Sequence, residues 1–336
     1  MPTETVYGLA ARIDSPEAIK KIFSVKARPF FDPLIVHVAS IAQAKTCTTD
    51  WSDLSEFLAQ SFWPGPLTLV MPKSDLVSDL ITSGLTSVGL RWPQHPIAQE
   101  LISRSGVPLA APSANKFGRT SPTKAQHVKD EFNEAVFVLD GDSSAIGIES
   151  TVLSIKNQTK NKTEKQNNIY QLALLRKGAI LKSEITKALS QTEFKYEWIE
   201  IVDKKESPGH MKHHYMPSIS FVVFRNLDGR LDTTLDSCQQ AEILKCSYLL
   251  NERLAALPDE IEGVKIIKPK SEIKKIEFLK LSRDPALAAR ELYSQLRAAS
   301  LRSPDVLCFI QTQAHTGEMW ESVFDRLYKA AALILD

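Results

Sequence analysis

Apolar residues recur along this chain with two periods, and the alternation between them predicts the elements. From Glu17 to Val25, Ala18, Ile22 and Val25 share a face with Ile19 and Phe23, and Ser15-Pro16 supplies a start signal, so this stretch predicts a helix. Pro33-Leu34-Ile35-Val36-His37-Val38 is a short apolar run bounded by Pro and Ser, hence a strand. Leu54 to Phe62 predicts an amphipathic helix, stopped by Pro64-Gly65-Pro66. Strands are predicted at 67–71, 88–92, 107–111, 135–139, 151–155 and 170–175, with a helix over 97–103. Strands and helices mix here without a regular βαβ rhythm, which points to an α/β domain built on a mixed sheet.

Two stretches break the pattern. Residues 156–168 contain no apolar side chain and predict a solvated loop or hairpin tip. The run from Asp203 to Ser218 is rich in Lys, His and Pro and predicts an interdomain linker. Beyond it, 219–224 reads as a strand, 285–301 as a helix with Ala286, Ala289, Leu292 and Leu296 at helical spacing, 305–311 as a buried strand and 320–335 as a closing helix. The expected organisation is a first domain over 1–203, a linker over 204–217, and a smaller Rossmann-like α/β domain over 218–336.

Composition removes several function classes. Of 336 residues, 43% are hydrophobic and 24% charged, enough apolar material for two cores. A net charge of +1 argues against a protein whose main task is to wrap polyanions. No run approaches the roughly 18 apolar residues of a bilayer span, and no secretory signal is visible, so the expected compartment is the cytoplasm. Cys47, Cys238, Cys246 and Cys308 form no CxxC pair, which is the pattern of reduced thiols. Neither GxGxxG nor GxxxxGK[ST] occurs.

The first domain carries four polar clusters beside strand ends. In Pro2-Thr3-Glu4-Thr5-Val6-Tyr7-Gly8, hydroxyls next to a glycine can bond a small polar substrate, or simply close an ST-turn. Lys26-Ala27-Arg28-Pro29 sets two cations one residue apart, suited to a phosphate or merely to the end of a helix dipole. His37, among Leu34, Ile35, Val36 and Val38, is by default a satisfied core histidine, with ligand binding as the second reading. Ala110 to Asn115, with Gly118, Ser121 and Thr123, makes an uncharged polar cradle or a plain turn. Asp140 and Asp142, then Gly147-Ile148-Glu149-Ser150-Thr151 and Arg176-Lys177-Gly178, offer acids that could hold Mg²⁺ or stand in a solvated turn. In the linker, His210, His213 and His214 lack the companions of a recognised metal-ligand spacing.

Taken in order, the runs PTETVYGL, KARP, DPLIVH, WPGPLT, LRWPQHP, APSAN, GIESTV and LRKG resemble the YrdC-like domain. The run SPGHMKHHYMP and the domain after it resemble the two-domain form of threonylcarbamoyl-AMP synthase. That resemblance implies a YrdC-like twisted sheet with helices, linked to a Rossmann-like domain. It also implies a nucleotidyltransferase that forms threonylcarbamoyl-AMP and pyrophosphate from L-threonine, bicarbonate or CO₂, and ATP with Mg²⁺. The product would serve the threonylcarbamoyladenosine modification of tRNA, finished by a partner transferase. By motif position, Thr5, His37, Arg91, Ala111, Ser150 and Thr151 should hold threonine, with Arg91 on its carboxylate. Lys26, Arg28, Asp32, Ser87, Ser113, Asn115, Ser121, Arg176, His214 and Tyr215 should hold ATP, with Lys26 and Arg28 closest to catalysis, no resident metal, and the linker as a lid.

The chain departs from the family in places. The helix and strand that usually precede PTET are missing before Met1-Pro2, which points either to a start codon called too far downstream, the favoured reading, or to a crippled protein, and would leave Thr3 and Thr5 on a fraying terminus. Asp32 replaces an amide and would repel phosphate unless Mg²⁺ or Lys26 compensates; Ser154 stands where Asp is common. A carbamoyl transferase of hydrogenase maturation would need CxxC zinc fingers, which are absent from the sequence. The alternative from another class is a non-catalytic RNA-binding protein of the same fold, with weak tRNA contact.

Overall fold

The computed structural model describes residues 1–157, 169–200, 211–225, 247–261, 264–269 and 272–335. It divides into two compact units: Met1–Lys116 with Pro122–His210, and Phe117–Ser121 with Met211–Asp336. Of the loop expected over 156–168, Lys156 and Asn157 instead extend the strand Thr151–Asn157, and 158–168 lie outside the described residues, as do 204–210 of the linker with His210.

The first unit is built on an eight-stranded sheet. Its strands are β1 (Ala11–Arg12), β2 (Ile35–His37), β3 (Leu67–Pro72), β4 (Ser87–Arg91), β5 (Leu109–Ala110), β6 (Thr151–Asn157), β7 (Ile169–Arg176) and β8 (Lys195–Trp198). Their order is β1-β5-β2-β4-β3-β6-β7-β8. Parallel pairs (β2 with β4, β3 with β6, β7 with β8) alternate with antiparallel ones, so the sheet is mixed as the pattern predicts.

Strand periodicity gives this sheet two faces with different chemistry. One face carries Val36, Leu67, Leu69, Met71, Val88, Leu90, Leu153, Ile155 and Leu172, and forms the main core with Ile19, Ile22 and Phe23, Leu54 and Leu58, and Ile185 and Leu189. Those residues belong to the helices Pro16–Lys26, Asp53–Phe62 and Lys182–Leu189. The first of these starts as its residues dictate: Ser15 accepts a bond from the Ala18 N–H, and Pro16 opens the helix where a missing N–H costs nothing. The other face carries the intervening residues: Ile35 and His37, Ser87, Gly89 and Arg91, Thr68 and Val70, Val152 and Ser154. At its β5 end, Leu109 and Ala111 pack on Ala98 and Ile102 of the helix Pro96–Ser105.

Two predicted elements differ from the structure in this unit and the next. Residues 135–139 make no strand; Asn133–Ala135 is a 3₁₀ turn, and Phe137 is 89% exposed because no neighbouring strand meets it. The second unit holds a parallel sheet of β9 (Ser220–Phe224), β12 (Ile276–Phe278), β13 (Val306–Ile310) and β14 (Leu333–Leu335), in the order β12-β13-β9-β14. A hairpin of β10 (Glu260–Ile261) and β11 (Val264–Lys265) stands apart from that sheet. The predicted closing helix ends at Ala330, and the last apolar run becomes β14 beside β9. A short apolar run cannot choose between helix and strand by itself; the exposed edge of β9 makes the choice.

Candidate functional site

The second face of the first sheet brings together residues that lie far apart in sequence. His37 on β2 stands directly beside Arg91 on β4, and Ile35 beside Gly89. Gly89 leaves the floor of a hollow without a side chain; the hollow is lined by Ile35, Thr68, Val70, Ser87 and Val152 among others. A Cβ at Gly89 would approach the Thr68 methyl to 3.1 Å, so even alanine crowds this floor.

Arg91 ties the N-terminal segment to this face. Its Nη2 donates to Glu4 Oε1 at 2.6 Å, its Nη1 to Thr5 Oγ1 at 2.9 Å and its Nε to the Gly65 carbonyl at 3.3 Å. The Gln94 N–H donates to the second Glu4 oxygen at 3.1 Å. Thr3 Oγ1 bonds Thr5 Oγ1 at 2.9 Å and donates to the Val6 carbonyl at 2.6 Å, an ST-turn with a buried second hydroxyl. The carbonyls of Glu4 and Thr5 accept from the Ile146 and Gly147 N–H groups, and Tyr7 and Leu9 bond the backbone of Pro122 and Pro112. Thr3 and Thr5 are therefore 2% and 1% exposed rather than fraying, because side chains and backbone of three other segments hold them. Glu4 was not among the sequence-derived site residues; its place inside the PTET run was the available signal.

Arg28 and Lys26 do not point the same way. Ala27 between them caps the helix in the left-handed region (φ 49°), which sends the two cations to different partners. Buried Lys26 donates Nζ to the Ser113 carbonyl at 2.5 Å and to the Asn115 carbonyl. Burial first, then the Arg28 charge, holds its pKa well below the usual lysine value. Arg28 pairs with Asp32 at 2.9 Å and donates to the carbonyls of Asp32 (3.2 Å) and Pro33 (2.9 Å). The carboxylate that replaces the family's amide is thus compensated by Arg28, not by Lys26 as the sequence suggested. His37 is buried, and its pKa is pushed down to about 3, by desolvation first and by the Arg91 charge second. It stays neutral, a buried histidine of the kind the sequence predicts by default, and its Nδ1 has no hydrogen-bond partner.

Of the Ser150-Thr151 step, only Ser150 faces the site. Its hydroxyl lies 2.8 Å from Thr68 Oγ1, and Arg176 donates to its carbonyl at 3.0 Å and its hydroxyl at 3.1 Å. Thr151 turns to the other side and exchanges bonds with the Ile180 backbone at 2.6 and 3.0 Å. Gly178 makes this packing possible: a Cβ there would sit 2.3 Å from the Thr151 nitrogen. Ala111 donates its N–H to the Ile35 carbonyl at 3.0 Å. The acids at 140 and 142 form a turn, in which Asp140 Oδ1 accepts from the Asp142 N–H at 3.3 Å and the Tyr7 hydroxyl donates to the Asp142 carbonyl at 2.7 Å.

Ser121, His214 and Tyr215 belong to the second unit. There, Thr120 Oγ1 donates to the Tyr215 carbonyl at 3.0 Å, the Met216 N–H to the Gly118 carbonyl at 2.8 Å, and the Tyr215 ring lies 5.5 Å from that of Tyr293. Among the described residues no group of three His, Cys, Asp or Glu could hold a metal ion, and no helix is long and apolar enough to cross a membrane.

A family model described as "Telomere recombination" matches residues 1–165, and one described as "Threonylcarbamoyl-AMP synthase, C-terminal domain" matches 180–332. A threonylcarbamoyl-AMP synthase of Schizosaccharomyces pombe is 32% identical over all of this chain and 85% of its own length. The chain belongs to the two-domain Sua5 family. Family members named threonylcarbamoyl-AMP synthase from Pyrococcus abyssi and Bacillus subtilis are 42% and 38% identical over 66% and 71% of this chain. The matched region spans 62% and 66% of the length of those two relatives. The solved structure of the Pyrococcus abyssi Sua5 protein with L-threonine superposes with a TM-score of 0.74 at 31% identity, covering 100% of this chain and 91% of that one. Family members carry synthase names throughout these matches, so a non-catalytic RNA-binding role is not favoured.

Proposed function

We propose that the chain is an L-threonylcarbamoyladenylate synthase, a nucleotidyltransferase. The observation that supports this most directly is that His37 and Arg91 stand side by side on paired strands with the Thr5 hydroxyl bonded to Arg91 at 2.9 Å, while Lys26 at the end of the first helix bonds the Ser113 carbonyl. The names of the Sua5 relatives, and the L-threonine bound to one of them, support the same reading.

The reaction needs no protein nucleophile. The threonine amine adds to CO₂, drawn from bicarbonate, and loses a proton to give a carbamate. A carbamate oxygen then attacks the α-phosphorus of ATP, and pyrophosphate leaves as that P–O bond breaks. Such a transfer depends on positioning and on stabilising charge. Arg91 places the Thr5 hydroxyl and keeps a guanidinium beside the threonine site, so threonine's carboxylate meets an arginine already engaged by Glu4. Neutral His37 offers a ring nitrogen there without adding charge. Lys26 and Arg28 supply the positive end for the phosphates, and Mg²⁺ enters as part of the Mg·ATP substrate. The product would pass to a partner transferase for tRNA modification in the cytoplasm.

Pyrophosphate release by the purified chain tests this. The expected result is release with Mg·ATP only when both L-threonine and bicarbonate are present. Release independent of threonine, or none at all, would overturn it.

A further inference from the structure

The carboxylate of Asp32 has no part in the chemistry proposed above, and it is weakly secured. Asp32 is completely buried, and among the described residues neither of its carboxylate oxygens accepts a hydrogen bond. Its contact is an ion pair, 2.9 Å from Arg28 Nη2, while the hydrogen bond from that nitrogen goes to the Pro33 carbonyl, also at 2.9 Å. Taking a carboxylate out of water is offset only where hydrogen bonds satisfy its remaining lone pairs. Attraction to Arg28 therefore keeps Asp32 in place without the donors that would make the pair strong.

The loop does not depend on that pair. Arg28 Nε donates to the Asp32 carbonyl at 3.2 Å and Nη2 donates to the Pro33 carbonyl, so bonds to the backbone close the turn from 28 to 33. The Asp32 side chain can leave the guanidinium for another rotamer while the turn stays closed. Lys26 belongs to the same neighbourhood. Burial and the Arg28 charge hold its pKa down, and the carboxylates of Asp32 and then Glu131 act against them, so Lys26, Arg28 and Asp32 share one field. A phosphate brought to Lys26 and Arg28 meets Asp32 as a rival for the guanidinium.

We infer that Asp32 is a resident counter-ion that an incoming phosphate displaces from Arg28, so that this residue sets how tightly the chain holds a polyphosphate. The inference rests on the preceding reading for the assignment of Arg28 to the phosphates, and adds to it a competitor built into the loop. A neutral side chain at this position would leave the cation to the ligand. The carboxylate instead makes binding an exchange of one anion for another.

The test measures binding of inorganic tripolyphosphate by calorimetry, without turnover, to the full chain and to its Asp32→Asn, Arg28→Met and double variants. Asp32→Asn should bind tripolyphosphate at least about tenfold more tightly than the parent, the order of one charge-assisted contact freed from competition. Arg28→Met should bind it more weakly than the parent, and the double variant should keep none of the Asp32→Asn gain. Removing the carboxylate also leaves Arg28 a buried cation without its counter-ion. The urea midpoint of Asp32→Asn should therefore fall without ligand, and rise more than the parent's when tripolyphosphate is added. If Asp32→Asn does not fold, Asp32→Ser carries the same comparison. Equal or weaker affinity in the Asp32 variant would overturn the inference. So would a gain that survives in the double variant, because it marks a general charge effect rather than rivalry at Arg28. A parent chain that binds tripolyphosphate but releases no pyrophosphate with threonine and bicarbonate strikes the synthase reading and leaves the exchange standing.

Discussion

Replacing Arg91 by Met asks what this arginine does before any substrate arrives. Its guanidinium and the Glu4 carboxylate are 5% and 7% exposed and 2.6 Å apart, so solvent screens the pair little. Removing the cation leaves a buried carboxylate with only the Gln94 N–H among its present donors, and leaves the Thr5 hydroxyl with its Thr3 bond alone. Breaking one partner of a buried pair typically costs about 3–5 kcal/mol, most of it the penalty of the charge left behind. With a urea slope of roughly 2–3 kcal/mol/M for a domain of this size, the first unit's unfolding midpoint should fall by about 1–2 M. Tryptophan fluorescence through Trp63 and Trp92 reports that transition. A double variant, Glu4→Leu with Arg91→Met, removes both charges and should recover much of the loss. A midpoint shift below about 0.3 M in Arg91→Met, or a double variant that loses as much as the two single variants added together, would refute this account. Loss of turnover in an Arg91 variant therefore has to be read beside its stability.

Other consequences are as direct. Gly178→Ala should destabilise the first unit by about 2 kcal/mol or more, because the added carbon meets backbone atoms of Glu149, Ser150 and Thr151 at 2.3–2.7 Å; chemical denaturation measures it. His37 keeps a folded pKa of about 3, below its unfolded value, so the stability it brings is complete above about pH 6.5 and drains away as pH falls towards 3. The expected slope is about 1.4 kcal/mol per pH unit in that window, and His37→Gln should flatten it in urea titrations at several pH values. Lys26→Ala should raise the ATP requirement of pyrophosphate release at least about tenfold, since a charge-assisted contact of this kind is worth about 1.5–3 kcal/mol; an unchanged ATP dependence would count against phosphate contact.

The chain's local grammar was legible in its residues. Ser15-Pro16 marks a helix start, Pro64-Gly65-Pro66 a stop, and the apolar spacing over 285–301 a helix, because each depends on neighbours within a turn or two. The polar runs that make the site were also visible as runs, and their order carried the family resemblance. What no run could tell was which of its members meet. That Arg91 is taken by Glu4 and Thr5, that Arg28 pairs with Asp32, and that Ser150 bonds Thr68 while Thr151 bonds the Ile180 backbone is settled only in the folded chain. The last apolar run, read as helix, became β14 because β9 offered an unpaired edge. Local preferences are decided by φ, ψ and capping over a few residues, whereas pairing across a sheet is decided by contacts between segments far apart in the chain, such as Val222 and Leu333, and only the folded chain brings those together.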